Sequence, residues 1–354
     1  MDIAKIDKNF ILQNVTETDV EWRNILETPF EIRGVRFEEE SGFFVRMPRV
    51  VGKQVSAGVH FLTTNTSGGR VRFLTDSPYV AVRCVEPNNG AMNHMPIVGQ
   101  SGFSLYENGT FAGMFSPSYD VMRKGEPELD FDGIKYFRSN GKKEVEIYFP
   151  LYNGVKKLFI GVKKGCVLDA PRAYKRNGYV LFYGSSITQG GCASRPGNDY
   201  VGLLSRWLDI DVLNLGFSGN ACGEPVMAEY MAGLDPRVYV LDYAYNSTVS
   251  QLKERHYALY AKLRAAHPDT PIVFITNPDF DYDSEGAERR AVVRGTWLRA
   301  KRQGDKNVAF IDGEKLFEKR DRDACTVDTC HPNDLGFYRM AEKIYPTLQK
   351  WLGD

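Results

Sequence analysis

A short apolar run and the polar turn after it decide the fold. The run is Tyr179-Val180-Leu181-Phe182-Tyr183, and the turn is Gly184-Ser185-Ser186-Ile187-Thr188. An uninterrupted apolar run of this length, bounded by a glycine, is typical of a strand that is buried on both faces. Glycine permits a tight turn, so a serine lies directly where the strand ends. This segment predicts the first strand of a parallel sheet.

Apolar runs and helical stretches alternate from this segment to the C-terminus. The further strands are predicted at residues 212–215, 238–241, 272–276 and 308–311, and the helices at residues 199–208, 249–266, 285–303 and 335–352. Strands that alternate with helices predict a parallel sheet covered on both faces. In such sheets the functional residues lie at the carboxyl ends of the strands.

The half of the chain before this segment has a period of two. Short alternating runs occur at residues 70–74, 80–83, 144–149 and 157–162, and they are separated by turn signals such as Asn-Gly. This pattern predicts an antiparallel β-sandwich. We therefore expect two domains, residues 1–172 and 173–354, with residues 170–178 as the linker.

Composition excludes several classes of protein. Lys plus Arg and Asp plus Glu are 45 each in 354 residues, so no net charge is available to hold a phosphate backbone, and neither nucleic acid nor a membrane is an expected partner. No apolar stretch approaches the roughly 20 residues of a membrane span, and no signal peptide is recognisable at the N-terminus. The sequence predicts a cytoplasmic protein.

The six cysteines have no spacing typical of a metal site. They stand at positions 84, 166, 192, 222, 325 and 330, without paired CxxC motifs, so neither a metal nor a cofactor is expected. Cys325 and Cys330 are near enough in sequence to form a disulfide in an oxidising compartment. Free thiols are favoured over that disulfide, because cytoplasmic thiols stay reduced.

One short loop before the last helix carries a carboxylate and an imidazole, in Asp328-Thr329-Cys330-His331-Pro332. A serine becomes a nucleophile when a base takes its proton, and a carboxylate orients that base. Ser186, His331 and Asp328 are thus candidates for a catalytic triad. Taken alone, the loop is equally consistent with Pro332 at a helix start and His331 as an incidental neighbour.

The next two strands end in candidate donors for an oxyanion. Gly219 follows the second strand and Asn246 follows the third. Amide donors held near an attacked carbonyl stabilise the negative charge that develops on its oxygen. In isolation, glycine and asparagine after strands usually only form turns.

The chain has five histidines, and their positions narrow the choice of base. His60 and His94 belong to the β-rich half, and His256 and His267 fall within or at the end of a predicted helix, where surface or cap positions explain them. We therefore expect His331 to be the only histidine in a loop at the active edge.

In order and approximate spacing, Gly184-Ser185-Ser186, Gly219, Asn246 and Asp328-x-x-His331 resemble the sequence blocks of the SGNH (GDSL-type) hydrolases. The resemblance implies a flavodoxin-like three-layer α/β/α domain with Ser186, Asp328 and His331 as the triad. It also implies an oxyanion hole formed by Ser186, Gly219 and Asn246. Ser185 stands where the family usually has aspartate, which leaves the nucleophile itself unchanged.

The β-rich half resembles the jelly-roll-like domain that precedes some bacterial SGNH enzymes. That domain often carries a Gly-x-Asp-Leu-Tyr motif, and the equivalent here is Gly102-Phe103-Ser104-Leu105-Tyr106, with serine in place of aspartate. Related two-domain enzymes include carbohydrate esterases and acyltransferases, and a shared fold does not choose between them.

The expected function is hydrolysis of acetyl or other short acyl esters of a carbohydrate or similar polar alcohol, through an acyl-Ser186 intermediate. Alternatives are an acyltransferase with the same triad and a carbohydrate-binding protein with an inactive hydrolase domain. The polar loop at residues 189–198 is expected to face the substrate, with Arg195 and Tyr245 as possible contacts to the alcohol. The oligomeric state is not determined by the sequence.

Overall fold

Antiparallel strands make up the first half of the chain. The structure is a computed structural model that describes residues 6–7, 10–278, 284–318 and 320–353. The strands of this half are Val20–Asn24 (β1), Glu31–Arg33 (β2), Arg36–Glu38 (β3), Phe43–Val45 (β4), Arg70–Thr75 (β5), Tyr79–Pro87 (β6), Phe103–Glu107 (β7), Thr110–Phe115 (β8), Glu128–Tyr136 (β9), Lys143–Tyr148 (β10), Lys157–Lys163 (β11) and Leu168–Asp169 (β12).

Two sheets of this half enclose a common core. One sheet has the order β1-β11-β6-β9, and the other has the order β12-β5-β10-β7-β8 with β2 paired to β5. Val71 and Phe73 of β5 pack with Val82 of β6 and Ile160 of β11 in one buried cluster. Alternate side chains of each strand therefore point inward, as the period of two predicts. The predicted jelly-roll-like sandwich is confirmed.

Short helices interrupt the sandwich, and the sequence pattern did not predict them. They are Arg49–Val55 (α1), Ala57–Leu62 (α2), Ile97–Ser101 (α3) and Tyr119–Arg123 (α4). The α2 helix begins after Ser56, whose hydroxyl accepts a hydrogen bond from the Val59 amide at 3.0 Å. Each is only one or two turns long, which is too short for a helical period to be visible in the sequence.

The second half is a parallel sheet with helices on both faces. The strands are Arg176–Gly184 (β13), Ile210–Gly216 (β14), Val238–Asp242 (β15), Ile272–Ile275 (β16) and Val308–Ile311 (β17), and the helices are Ser186–Gln189 (α5), Tyr200–Leu208 (α6), Pro225–Ala232 (α7), Val249–Ala266 (α8), Gly286–Arg302 (α9) and Asp334–Leu352 (α10). The strand order is β14-β13-β15-β16-β17, which is the flavodoxin-like order. The predicted α/β/α fold is confirmed.

The first parallel strand begins earlier than the sequence indicated. Residues 176–178 belong to β13 and not to the linker, because Arg176 pairs with Ile210 across a register shift that lies between Arg176 and Tyr179. The Arg176 guanidinium donates to the Gly353 carbonyl at 2.6 Å, which ties the strand to the end of α10. An Asn-Gly pair within a strand reads as a turn, and here it marks a bulge.

A buried arginine from the sandwich joins the two halves. Arg46 is 3% exposed, and its guanidinium donates to the carbonyls of Asn214 and Gly216 at the end of β14. It also donates to the carbonyls of Leu62 and Asn65 in its own half. Hydrogen bonds from a charged donor to buried carbonyls are strong when every donor is satisfied. This contact fixes the sandwich against the carboxyl edge of the parallel sheet.

Candidate active site

The turn after β13 is too tightly packed for any residue but glycine at its start. A Cβ atom on Gly184 would lie 1.9 Å from the Thr188 hydroxyl. Ser185 follows in an extended conformation, and its hydroxyl accepts a hydrogen bond from the Ile187 amide at 3.2 Å. Ser185 is therefore the N-cap of α5, and Ser186 is left as the first helical residue at the edge of the sheet.

The loop before α10 is closed by its own hydrogen bonds. The Val327 amide donates to the His331 carbonyl at 2.9 Å, and one oxygen of Asp328, Oδ1, accepts from the amides of Cys330 and His331 at 3.1 and 2.7 Å. Thr329 adopts a positive φ of 67° to allow this turn. The spacing of three residues thus holds the carboxylate and the imidazole side by side.

Ser186, His331 and Asp328 form one hydrogen-bonded chain. The Nε2 atom of His331 lies 2.9 Å from the Ser186 hydroxyl, and its Nδ1 atom lies 2.7 Å from Asp328 Oδ2. Ser186 is 8% exposed. A neutral imidazole protonated at Nδ1 can accept the serine proton at Nε2 while the carboxylate holds that tautomer.

The surroundings of His331 favour its protonated, positively charged form. A hydrogen bond with the Cys330 side chain, together with the hydrogen bond to the Asp328 carboxylate, raises the pKa of His331 to about 9. Burial of the ring opposes this shift. Burial also opposes the shift of Asp328, but hydrogen bonds from His331 and Cys330 lower the pKa of this carboxyl below its ordinary value. Asp328 is therefore ionised at neutral pH and stabilises a positive charge on His331.

The two predicted amide donors lie on neighbouring loops. The Asn246 side chain donates to the Phe217 carbonyl at 3.0 Å, two residues before Gly219. Gly219 is exposed and has a φ of 66°, and a Cβ atom there would meet no other atom within 4 Å. The Asn246 side chain and the Gly219 main chain therefore lie near one another, where β15 and β14 end.

A glutamine that the sequence did not single out links this turn to the sandwich. The Gln189 side chain accepts from the Ser218 amide at 3.0 Å and donates to Asn65 Oδ1 and to the Leu151 carbonyl at 3.2 and 3.1 Å. The Ser67 hydroxyl donates to the Gln189 carbonyl at 2.6 Å. The sandwich therefore positions the segment next to Gly219, and no local pattern indicates this.

A second histidine also reaches the active edge, so the elimination that left only His331 there is wrong. His94 of the sandwich places Nε2 3.7 Å from Asp328 Oδ2, because the loop between β6 and α3 reaches the loop before α10. The surface or cap position expected for His256 is wrong as well. His256 is buried, its Nδ1 lies 2.9 Å from the Thr296 hydroxyl, and burial lowers its pKa to about 3.

The loop at residues 189–198, which the sequence predicted to face the substrate, packs against the sandwich. Most of it is buried, and a Cβ atom on Gly99 would lie 2.4 Å from the Ala193 carbonyl. Arg195 lies over the Phe111 ring at 3.7 Å and donates to the Tyr106 hydroxyl at 2.6 Å. Arg195 is therefore a contact between the two domains, and it reaches the tyrosine of the predicted Gly-x-Asp-Leu-Tyr-like motif.

The surface next to the oxyanion turn contains a cavity that both halves of the chain build. Its volume is about 370 Å³, at the lower end of the range for small-molecule sites. Ser218 and Asn220 form the wall from the parallel-sheet half, and the sandwich supplies Phe61, Met92 and Tyr152. The Tyr152 hydroxyl donates to the Ser186 carbonyl at 3.2 Å, so the cavity adjoins the serine.

The described part of the chain contains no cluster of three or more His, Cys, Asp or Glu side chains that could hold a metal ion. All six cysteines are free in the structure, and the Arg339 guanidinium donates a hydrogen bond to the buried Cys325 thiol. Among the helices of the described ranges, none combines the length and the apolar character that crossing a membrane requires.

Two family models together match most of the chain. Residues 177–349 match the GDSL-like Lipase/Acylhydrolase family. Residues 20–168 match the GxDLY family, described as the N-terminus of SGNH-hydrolase-type esterases. A search of the curated proteins found no match.

Several solved structures have the same fold over both domains. A protein described as a GDSL-like lipase from Bacteroides ovatus is 29% identical, with a TM-score of 0.82, over 94% of this chain and 98% of its own. The salicylyl-acyltransferase SsfX3 from a tetracycline biosynthetic pathway is 19% identical, with a TM-score of 0.78, over the same shares of the two chains. A family two carbohydrate esterase from Clostridium thermocellum, in complex with cellohexaose, is 16% identical, with a TM-score of 0.60, over 81% of this chain and 94% of its own.

The two family matches follow the two halves of the fold, and each predicted sequence block lies within one of them. The matched C-terminal region contains Ser186, Gly219, Asn246, Asp328 and His331, and the matched N-terminal region contains the motif that ends in Tyr106. The chain therefore belongs to the SGNH (GDSL-like lipase/acylhydrolase) family and is a carboxylic-ester hydrolase.

Proposed function

We propose that the enzyme removes acetyl or other short acyl groups from a carbohydrate or similar polar alcohol through an acyl-Ser186 intermediate. The observation that carries the proposal is the hydrogen-bonded chain from Asp328 through His331 to Ser186, at 2.7 and 2.9 Å. The similar fold of a carbohydrate esterase with cellohexaose bound supports a sugar as the alcohol.

The proposed reaction has two acyl transfers. In the first, His331 accepts the Ser186 proton while the hydroxyl oxygen attacks the ester carbonyl, and His331 then protonates the departing alcohol. In the second, water attacks the acyl-serine and gives its proton to His331, which returns it to Ser186. The amides of Ser186 and Gly219 and the side chain of Asn246 would stabilise the oxyanion in both steps.

The pH dependence of kcat/KM tests the role of His331. Only the neutral imidazole can accept the serine proton, and the pKa of His331 in the free enzyme is raised to about 9. We therefore expect kcat/KM to rise with pH and to level off above about pH 9. The measurement is initial-rate kinetics from pH 5 to 10, corrected for spontaneous hydrolysis. A rate that is independent of pH, with chemistry limiting, would contradict the assignment.

Two cysteine variants make the pH experiment specific. Cys330→Ala removes the interaction that contributes most to the raised pKa of His331, so the ascending limb should move to lower pH. Cys166→Ala is the matched control, because Cys166 lies in the sandwich and does not contribute to the shift of His331. If the rising part of the pH profile stays at the same pH in Cys330→Ala, the Cys330 thiol does not raise the pKa of His331.

Acyl-chain length tests the substrate side of the proposal. Long chains gain about 0.8 kcal/mol for each methylene group that an apolar groove removes from water. The segment after Ser186, residues 189–198, is small and polar and carries no apolar insertion that could form such a groove. We expect kcat/KM for matched aryl esters to be highest for acetyl and to fall with longer chains. A steady increase from acetyl to dodecanoyl would overturn the preference.

The acyltransferase alternative uses the same triad and differs only in the acceptor. Product analysis with an added alcohol separates the two activities, because hydrolysis releases free acid and transfer releases a new ester. We expect free acid to predominate at moderate alcohol concentration. Preferential formation of the new ester would identify a transferase.

A further inference from the structure

The sandwich supplies most of the wall of the cavity beside the oxyanion turn. Phe61 and Leu62 lie on α2, and Asn89 and Met92 lie on the loop between β6 and α3. This loop, residues 88–95, is called here the bridging loop. Together with Ser218 and Asn220 of the parallel-sheet half, these residues enclose a space that neither domain forms alone.

The bridging loop is held rigidly at its base. The Gln100 side chain accepts from the Met92 amide at 2.9 Å and donates to the Gly90 carbonyl at 2.6 Å. The Asn89 amide donates to Asn153 at 2.8 Å. Side-chain hydrogen bonds to the main chain fix a loop in one conformation without regular secondary structure. The cavity wall is thus preformed.

The opposite wall is fixed by a close contact between α2 and the oxyanion turn. A Cβ atom on Gly58 would lie 2.0 Å from Asn220 Oδ1, so a larger residue there would displace the Asn220 side chain. The Asn220 amide donates to the Ser218 carbonyl at 2.7 Å. Phe61, one turn along α2 from Gly58, is consequently held next to the turn that carries Gly219.

The bridging loop also reaches the His331–Asp328 pair. The same loop places His94 3.7 Å from Asp328, on the side of Ser186 where the His331–Asp328 pair lies. His331 must protonate the departing alcohol in the proposed mechanism, so the alcohol leaves on this side. The bridging loop therefore extends from the cavity, which Asn89 and Met92 line, to the His331–Asp328 pair.

The lining of the cavity indicates the chemistry of that alcohol. Phe61 is 57% exposed, which leaves a large aromatic face without a partner on the cavity wall. Asn89 and Asn220 provide amide groups around it. A group that matches both features has an apolar C–H face for the ring and several hydroxyls for the amides, as a pyranose has.

We propose that this cavity is a subsite for the sugar ring of the alcohol, and that Phe61 and the bridging loop determine the preference for a pyranoside over a simple alcohol. The inference rests on the proposed function, because it assigns the alcohol side of the same ester. The Asn89 and Asn220 side chains each use one N–H within the protein. Their remaining amide atoms can bond the hydroxyls of a monosaccharide, which an alkyl chain lacks.

The test compares two acetyl esters that differ only in the alcohol, acetylated methyl glucopyranoside and vinyl acetate. Phe61→Ala should lower kcat/KM for the sugar ester about tenfold relative to vinyl acetate. Loss of one apolar contact with a substrate changes the ratio of kcat/KM between two substrates by roughly that factor. Tyr119→Ala is the matched control, because Tyr119 is equally exposed on the sandwich and does not line the cavity. The ratio should be unchanged in that control.

Direct binding separates this inference from the proposed function. Saturation-transfer NMR with methyl glucopyranoside should show binding to the wild type and its loss in Phe61→Ala, whether or not either ester is hydrolysed. Binding without any ester turnover would uphold the subsite and reject the proposed esterase activity. Turnover of both esters with an unchanged ratio in Phe61→Ala, and no detectable binding of the glycoside, would overturn the subsite and leave the esterase intact.

Discussion

Replacement of Ser186 by alanine is expected to lower kcat for ester hydrolysis by roughly 10⁴–10⁶-fold, the loss typical of removing the nucleophile of a triad. The substitution removes one hydroxyl whose described hydrogen bond goes to His331 Nε2, and it leaves no cavity in the core. The fold should be retained. Kinetics with an acetyl ester, together with circular dichroism and thermal unfolding, provide the measurement.

Ser185→Ala is the matched control for this variant. The Ser185 hydroxyl accepts from the Ile187 amide as the N-cap of α5, so its loss should cost about 1 kcal/mol of stability. Most of the activity should remain. A serine-directed phosphonate should label the wild type and Ser185→Ala at Ser186, as read by peptide mass mapping. Activity like that of the wild type in Ser186→Ala would refute the assignment of the nucleophile.

Replacement of Asp328 by asparagine is expected to lower kcat by roughly 10⁴-fold, as in other triads in which the carboxylate becomes an amide. Oδ1 of Asp328 accepts from the amides of Cys330 and His331, and the asparagine oxygen can keep both hydrogen bonds. Its NH₂ group then faces His331 Nδ1. The imidazole would have to accept there, carry its proton on Nε2 and lose the ability to take the serine proton.

The loop geometry should be retained in Asp328→Asn. Loss of activity would therefore result from the wrong tautomer of His331 and not from unfolding. Asp323→Asn is the matched control, because Asp323 is exposed on the same segment. The control should have the activity of the wild type. The pH profile adds a second measurement, since the pKa of His331 should fall when the carboxylate is removed. Asp328→Asn with nearly full activity would exclude the carboxylate as the orienting group.

Local sequence patterns predicted the long elements well. The α8 helix has the predicted bounds, and its start is fixed by the reciprocal hydrogen bonds of Thr248 and Gln251, a capping box. The prediction missed α7, Pro225–Ala232. The apolar side chains of this helix are spread around its circumference and form no single apolar stripe. It also missed α1 and α2, which are shorter than two full helical periods.

The identities of the triad residues were predictable for a local reason. Asp328 and His331 are three residues apart in one turn, and Ser186 directly follows a recognisable strand, so sequence spacing alone indicated which groups could meet. Their roles remain predictions that the variants above test. The structure adds distances of 2.7 and 2.9 Å for the chain that joins them.

By itself, the sequence determined the two fold classes and the order of the blocks that carry the chemistry, because strand and helix periods and strand-end turns are local properties. Only the tertiary structure decided that the sandwich reaches the active edge. His94 and Asp328 are far apart in the chain, as are Gln189 and Asn65, and each pair meets through the packing of two domains. Such contacts depend on the shapes of two folded surfaces, which no spacing along the chain encodes.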